Sequence, residues 1–427
     1  MIRRTLLEWQ SIAYGDDETK QIPAWAADRL VAAARKSPLG GESGGRILAH
    51  GRSALRAQQV VGIVAANNCV LEILPKIDVD AEGDEAAHGL IRRTLVHLLA
   101  VVMDLDIDGG AFAELGWQKD SLLEILIRLF SLKLIDALRQ GMPRHYIERE
   151  EELATLRGRL DVRRQFTRLA ANPSRLACRF DELSPDIALN RIMRAAIERL
   201  RRISRSGDNQ RRLVELAFAY ADIAPVSPQA LRWDDVRLDR TNARWKDLIA
   251  LARLLLGERF QTTSMGEQAG FSLLFEMNTL FEEYIGRMLR RALAGSELSV
   301  HLQGGRLYCL EADEDGRRTF QTRPDILIKR GAEIVHIVDT KWKGIGTRID
   351  DPKRGVSQSD VYQMMAYGEL YDCSALTLLY PHHGALDGAA GALGRHRVGS
   401  TARFLHMASV DITDHRTVAA QLSALLP

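Results

Sequence analysis

Short runs of alternating hydrophobic and polar residues characterise the N-terminal part of the chain. Three runs have the length and the aliphatic content of strands: Arg46–His50, Val60–Ala65 and Cys69–Leu74. Glycine-rich turns such as Gly40–Gly45 separate them. The pattern predicts a β-rich segment over residues 1–80, which the acidic stretch Asp78–Glu85 connects to the rest of the chain.

The hydrophobic spacing then changes to that of helices, and a mainly helical middle region is predicted over residues 85–265. Its predicted helices are Ala87–Met103, Ser121–Gln140, Ala188–Arg202, Gln210–Ile223 and Arg244–Leu256. The second of these is apolar around most of its circumference, which predicts a buried helix. Ala154–Val162 and Leu176–Asp181 interrupt the helices as extended segments.

Helices and strands alternate in the last part of the chain, residues 266–427. The predicted order is helix Leu273–Ala294, strands Leu298–Glu311, Thr319–Lys329 and Glu333–Trp342, helix Ser357–Leu370, strands Ala375–Tyr380 and Ala402–Asp411, and helix His415–Leu426. This order is typical of a compact domain with a mixed sheet and flanking helices. The whole chain is therefore predicted to be a multidomain protein of the α+β or α/β class.

Composition narrows the classes of protein further. With 427 residues, 46% hydrophobic and 27% charged, the chain fits an ordinary soluble protein of two or three domains. Its apolar stretches are shorter than the ~20 residues of a membrane span, and its start lacks the apolar core of a secretory signal. The four cysteines form no CxxC pair, which favours reduced thiols in the cytoplasm over a zinc site.

The net charge of +2 is too small to indicate a protein that coats nucleic acid, so any such function must come from a local site. The best candidate is the predicted strand Glu333–Trp342. Val335, Ile337, Asp339 and Lys341 share one face of it, so two charges continue a hydrophobic row. The alternative is that both charges lie at a solvated edge of the sheet. Charged residues at such an edge normally lie on its exposed face, whereas here they continue a hydrophobic row.

Asp325 lies one predicted hairpin upstream, directly after Pro324, where a bend or bulge is expected. The hairpin brings Asp325 close to Asp339. Two converging carboxylates form a hard-oxygen site suited to Mg²⁺, with water and phosphate as further ligands. Lys341 could orient or deprotonate an attacking water, or stabilise the charge of a phosphodiester transition state.

The spelling Pro324-Asp325, then thirteen residues, then Asp339-Thr340-Lys341 resembles the signature of the PD-(D/E)xK nucleases. This resemblance implies that Asp325, Asp339 and the Thr340 carbonyl bind the metal and that Lys341 positions the water. In several branches of that superfamily a helix with the pattern QxxxY, here Gln363 to Tyr367, lies near the metal or the DNA.

A glutamate on the first helix often supports the metal through a water in the same superfamily. The resemblance points to Glu282 for this role, with Glu283 as the competitor. A solvated helix surface is the alternative for both.

Four further segments resemble the McrC family, the nuclease subunits of 5-methylcytosine-specific restriction systems. They are Leu71–Ile77, Leu156–Leu160, Cys178–Met193 and Phe275–Ile285, and they occur in the family's order over most of the chain. The chain is longer than expected for the family, with extra residues around Ser204–Leu273, which puts the connection of the two halves in doubt.

The resemblance implies a Mg²⁺-dependent DNA endonuclease whose N-terminal segment docks onto a hexameric AAA+ GTPase of the McrB type and stimulates it. The partner would read modified cytosine in double-stranded DNA and bind the GTP. The chain itself has no GxxxxGK[ST] loop, in agreement with that division. Two alternatives stay open, namely a non-catalytic activator of an AAA+ NTPase and a standalone repair nuclease.

Overall fold

The structure of the chain is a computed structural model. It describes residues 2–17, 20–40, 44–77, 85–105, 120–172, 174–240, 242–256, 271–345, 355–386 and 388–426. The predicted acidic linker falls on residues 78–84, and the first residues of the predicted C-terminal domain on 266–270. Both stretches lie outside the described residues.

The helices within the described residues alternate with nineteen strands. The helices are α1 (Ala24–Arg35), α2 (Glu85–Val102), α3 (Leu122–Arg139), α4 (Val162–Thr167), α5 (Ala188–Ile203), α6 (Gly207–Ala219), α7 (Lys246–Leu256), α8 (Met277–Ala292), α9 (Gln358–Leu370) and α10 (Val418–Ala424). In these residues we find no helix with the length and hydropathy needed to cross a bilayer.

The strands, over the same described ranges, are β1 (Ile2–Leu7), β2 (Ser11–Tyr14), β3 (Gln21–Ile22), β4 (Leu48–His50), β5 (Ala54–Ala57), β6 (Val61–Ala66), β7 (Cys69–Leu74), β8 (His145–Leu153), β9 (Arg159–Leu160), β10 (Leu176–Ser184), β11 (Phe271–Phe275), β12 (Leu298–Leu302), β13 (Tyr308–Glu311), β14 (Arg318–Gln321), β15 (Ile326–Arg330), β16 (Glu333–Thr340), β17 (Ala375–Pro381), β18 (Gly391–Arg397) and β19 (Phe404–Val410).

The chain divides into two compact units. Unit 1 combines Met1–Leu122 with Phe260–Pro427, and unit 2 is Leu123–Arg259. The predicted β-rich and C-terminal segments thus share one unit, because β11 pairs antiparallel with β6.

The N-terminal part of unit 1 packs helix α1 between two four-stranded sheets. Their strand orders are β1-β7-β6-β11 and β3-β2-β5-β4. Leu30 of α1, Leu55 of β5 and Ile73 of β7 belong to one hydrophobic core. At Gly62 of β6 the backbone has φ +127°, and an added Cβ would lie 1.9 Å from the Leu273 carbonyl oxygen, so the pairing of β6 with β11 needs glycine there.

The C-terminal part of unit 1 is built on a six-stranded mixed sheet with the order β12-β15-β16-β17-β19-β18. Strands β16, β17 and β19 run parallel, and the outer pairings are antiparallel. Helix α8 packs against α2, α10, β12 and β16, whereas α9 packs against β16 and β17. Strand β16 therefore lies in the middle of the sheet, between helices.

Unit 2 contains the three-stranded sheet β8-β10-β9 and helices α5, α6 and α7. The buried carboxylate of Glu124 accepts hydrogen bonds from the Ser204 hydroxyl and from the Asn209 amide, each at 2.8 Å. Residues Leu176–Ser184 of β10 pair with β8 along their whole length, and opposite charges face each other in that ladder.

Several predicted elements match the structure, and others need correction. Cys69–Leu74 is the strand β7, and the bend predicted at Pro324 separates β14 from β15. Residues Ala24–Arg35, assigned to a β-rich segment, form a helix that buries alanine and leucine at helical spacing. Residues Phe271–Phe275 form a strand where the start of a helix was predicted, because a short apolar run does not distinguish the two.

Strands elsewhere also differ from the prediction. The predicted strand Leu298–Glu311 is split into β12 and β13, because the chain turns through positive φ at Gln303 and Gly305. Strand β18 was not predicted at all, since its sequence GALGRHR lacks the β-branched and aromatic residues that favour a strand.

Candidate active site

Strand β16 carries the predicted carboxylate–lysine row on the face that packs against α9. Ile337 belongs to the same hydrophobic core as Met364 of α9. Two residues further along the same face comes Asp339, whose side chain is buried with 1% exposure. The opposite face carries Val338, which lines a small cavity together with Leu289 of α8, the helix that packs against β16. Both faces of the strand are therefore covered, and Asp339 is not a residue of a solvated edge.

The two predicted aspartates stand opposite each other. Ile326 of β15 pairs with Val338 of β16 in an antiparallel register, so Asp325 faces Asp339 one residue beyond the ladder. Thr340 fixes the orientation of Asp325: its backbone N–H donates to Asp325 Oδ2 at 2.8 Å, and its hydroxyl donates to the same oxygen at 2.9 Å. These two bonds engage Oδ2 and leave Asp325 Oδ1 for another partner.

Burial and mutual repulsion make both carboxylates hard to ionise. Desolvation raises the pKa of Asp325 to about 6, with the nearby charge of Glu282 as the next cause. Desolvation likewise raises the pKa of Asp339 to about 6, followed by the charge of Asp325. A cation between the two groups would relieve both effects.

Lys341 supplies one such cation. Its Nζ lies 2.7 Å from Asp339 Oδ2 and 3.8 Å from Asp360 Oδ1, and it donates to Gln363 Oε1 at 3.2 Å. Burial opposes its charged form, but the carboxylates of Asp339, Asp360 and Asp325 outweigh this and raise the pKa of Lys341. Lys341 therefore remains an ammonium ion at neutral pH.

Helix α9 presents two polar residues to this lysine. Gln363, which the sequence singled out, also donates through Nε2 to the Tyr367 hydroxyl at 2.8 Å. Asp360 was missed by the sequence analysis. It forms a capping box with Ser357 at the start of α9 and an ion pair of 3.0 Å with Lys343. The spacing S-x-x-D before an apolar helix was the signal that could have found it.

Glu282 of α8 lies within electrostatic reach of the aspartates. Burial raises the pKa of Glu282, whereas a hydrogen bond from Gln303 and the charge of Arg323 act in the opposite direction. Arg323 in turn donates to Gln303 Oε1. Glu282 is also the largest charge effect on Asp325, while Glu283 acts on Glu282 itself. Of the two adjacent glutamates, Glu282 is the one whose charge raises the pKa of Asp325.

The donor set fits a hydrated divalent ion better than a cage made of protein ligands alone. In the described part of the chain, no three His, Cys, Asp or Glu side chains are grouped so that they could hold a metal together. Asp325 and Asp339 nonetheless converge as hard oxygen donors, and the charge of Lys341 only partly offsets the desolvation that raises their pKa values. Mg²⁺ commonly uses one or two carboxylates and completes its shell with water and phosphate.

The comparisons with known proteins agree with this architecture. No curated protein matches the chain in sequence. A solved chain in a refined half-complex from a tetradecameric assembly of Thermococcus gammatolerans McrB AAA+ hexamers with bound McrC is similar, with a TM-score of 0.73 and 20% identity. The match covers 98% of this chain and 99% of that one.

A cryo-EM structure of the Thermococcus gammatolerans McrBC complex also contains a similar chain, with a TM-score of 0.55 and 25% identity over 68% of this chain and 88% of that one. The model of a family described as "McrBC 5-methylcytosine restriction system component" matches residues 55–381, which is more than half of the sequence. By this match the chain belongs to the McrBC family of restriction-system components.

Proposed function

We propose that this chain is the nuclease subunit of a modification-dependent restriction complex and that it hydrolyses DNA phosphodiesters with Mg²⁺. The catalytic domain would be of the PD-(D/E)xK type, over residues 266–427. One observation carries the proposal: the half-buried carboxylate of Asp325 faces the buried carboxylate of Asp339, which lies 2.7 Å from the Lys341 ammonium at the end of a central strand.

Three donors would hold the metal. These are Asp325 through the oxygen that Thr340 leaves unengaged, Asp339, and the Thr340 carbonyl. In an extended strand the N–H and C=O of one residue project to the same side, and the Thr340 N–H points to Asp325, which supports that carbonyl as the third donor. When bound, the metal supplies Lewis acidity and lowers the pKa of a water nucleophile.

Lys341 would act as a fixed positive charge. Because neighbouring carboxylates raise its pKa, it is a poor general base, and orienting the water or stabilising the charge of the transition state is the role that suits it. Gln363 and Asp360 would keep the ammonium in place, and Glu282 would accept a hydrogen bond from a metal-bound water.

We further propose that the partner is a hexameric AAA+ GTPase of the McrB type, which would bind GTP and read modified cytosine in double-stranded DNA. The family match and the two similar structures, whose complexes contain McrB, support this. The N-terminal segment, residues 1–80, is the docking element that we propose from the sequence.

Plasmid cleavage in Mg²⁺ tests the proposal. Methylated and unmethylated plasmids are incubated with the chain, with and without the McrB-type GTPase and GTP. Asp339→Asn removes one proposed metal ligand. Glu333→Gln makes the same carboxylate-to-amide change at the exposed start of the same strand and serves as the matched control.

We expect cleavage only when the partner, GTP and a methylated plasmid are all present. Asp339→Asn should abolish this cleavage, and Glu333→Gln should not. Cleavage by the isolated chain regardless of methylation would indicate a standalone nuclease instead. Stimulation of GTP hydrolysis without any cleavage would indicate a non-catalytic activator.

A further inference from the structure

Trp342, the residue after Lys341, is held by contacts from two separate parts of unit 1. Its indole Nε1–H donates to Glu8 Oε2 at 2.8 Å, and its backbone N–H donates to Asn278 Oδ1 at 3.3 Å. Its ring also packs edge-on against Phe281, with 5.4 Å between ring centroids. The Glu8 contact joins residues that are 334 positions apart, so it links the N-terminal sheet to the end of β16.

Glu8 is an unusual residue for a structural contact. It follows strand β1, its side chain is 2% exposed, and its backbone N–H donates to the Leu74 carbonyl. Besides Trp342, its Oε2 accepts the Lys76 N–H at 3.2 Å. Its other oxygen, Oε1, is buried and has no hydrogen-bond partner among the described residues. Leaving a buried acceptor unsatisfied costs about 1–3 kcal/mol, so stability alone does not explain a glutamate here.

Trp342 and Lys341 are adjacent in the chain, directly after β16, and contact different helices. The Trp342 indole lies against Phe281 on the α8 side, and the Lys341 side chain lies on the α9 side. There it meets Asp339 and Gln363. Holding the indole therefore limits how far the ammonium can move from the two aspartates.

We propose that Glu8 is a positioning residue for the nuclease reaction: through its hydrogen bond to Trp342 it holds the backbone from which Lys341 reaches the carboxylates. This inference rests on the proposed function. The Lys76 N–H donates to Glu8, and Asn278 accepts the Trp342 N–H. Three segments that are distant in the sequence therefore meet next to Lys341.

The test uses the full complex of chain, GTPase and GTP. Glu8→Ala removes the acceptor, and Trp342→Phe removes the donor but keeps a ring against Phe281. Thr5→Val is the matched control, because Thr5 lies on β1, the strand that Glu8 follows, and its variant loses a side-chain hydrogen bond to Glu72 that does not involve Trp342. Single-turnover cleavage at varied DNA concentration separates the rate constant from KM.

We expect Glu8→Ala and Trp342→Phe each to lower the rate constant about 10- to 100-fold with unchanged KM, since small misplacements of a catalytic group have effects of this size. The double variant should be no slower than either single variant, because both remove the same bond. Glu8→Gln, which retains an acceptor, should recover most of the rate, and Thr5→Val should cleave as the parent does.

A second readout does not depend on cleavage. In the chain labelled with ¹⁵N at the indole nitrogens of its six tryptophans, the Trp342 resonance is assigned by its loss in Trp342→Phe. Glu8→Ala should move this resonance upfield, whereas Thr5→Val should leave it in place.

The outcomes separate the two proposals. If the parent complex cleaves, Asp339→Asn does not, and Glu8→Ala cleaves at the parental rate, the positioning role is refuted and the nuclease remains. Additive losses in the double variant, or an equal loss in Thr5→Val, would also refute it. If the parent complex does not cleave at all, the proposed function itself is wrong.

Discussion

Glu72 and the pair Asp325–Asp339 lie in unit 1, and they differ in what surrounds their carboxylates. Glu72 is 1% exposed, but Arg92 donates to its carboxylate through Nε at 3.1 Å and through Nη2 at 2.8 Å, and the Thr5 hydroxyl adds a third donor. Asp325 and Asp339 face each other, and Lys341 pairs with Asp339 at 2.7 Å. The Glu72 group is electrostatically complete, whereas the aspartate pair carries a surplus of negative charge.

This difference between Glu72 and the aspartate pair distinguishes buried charges that stabilise the fold from buried charges that bind or react. A fully paired glutamate stabilises the fold only while its partners remain, because removing one leaves the other charge buried alone. A pair of like charges destabilises the fold and is expected where a ligand restores the balance. The following experiments test this distinction, from the largest expected effect to the smallest.

Asp339→Asn should lower the cleavage rate by about three to four orders of magnitude, because the site loses a proposed metal ligand and several kcal/mol of transition-state stabilisation. The same change removes a buried like charge, so the midpoint of thermal unfolding should stay equal or rise. A large drop in that midpoint would contradict the contrast with Glu72.

Glu72→Ala should lower stability, in contrast to Asp339→Asn. It removes the carboxylate that pairs with the buried Arg92 at 2.8 Å and should lower the free energy of unfolding by about 3–5 kcal/mol. Denaturant titration of the variant against the parent measures this. If the variant is as stable as the parent, the buried pair of Glu72 and Arg92 does not stabilise the fold.

Glu8 lies between these extremes, and its ionisation should appear in the pH dependence of stability. Burial raises the pKa of Glu8 from 4.5 to about 7. Its stabilising contribution is therefore fully present below pH 4.5 and is lost as the pH rises through 7. Glutamine does not ionise, so Glu8→Gln should gain on the parent by on the order of 3 kcal/mol over that window.

Urea titrations of Glu8→Gln and the parent at pH 4.5, 6 and 8 measure this gain. Only the difference between the two proteins is diagnostic. Burial lowers the pKa of both His97 and His336 to about 4, and these histidines contribute equally to both curves with the opposite sign. A difference that is independent of pH would contradict the expectation.

Glu282→Gln should give the smallest effect, a loss of about tenfold or somewhat more in cleavage, as expected for a group that supports a metal without binding it directly. Glu283→Gln is the natural control at the adjacent position of α8 and should cleave like the parent. Equal losses in both variants would favour a general effect of helix charge.

The spacing of hydrophobic residues was enough to predict the helices and strands with strong periodicity. The helix predicted at Ala188–Arg202 is α5, and the strand predicted at Cys69–Leu74 is β7. The pattern failed where tertiary pairing decides, as at Phe271–Phe275, whose five buried residues become a strand because β6 offers an open edge. No property of those five residues alone specifies that partner.

The candidate site shows the same limit. Asp325, Asp339 and Lys341 could be grouped from the sequence because one hairpin joins their strands. Asp360 escaped notice because its contact with Lys341 depends on how α9 lies against the sheet. Glu8 could not be found at all, since no local pattern relates residue 8 to residue 342.

The pairing of β6 with β11 also has a consequence for the timing of synthesis. The ribosome makes β1, β6 and β7 first, yet the partner that the Gly62 backbone fits so closely emerges roughly 200 residues later. At 5–20 residues per second this leaves an open, aliphatic strand edge for about 10–40 s. The nascent chain therefore needs its C-terminal half, or a chaperone in the interval, to keep its first sheet from pairing with a neighbouring chain.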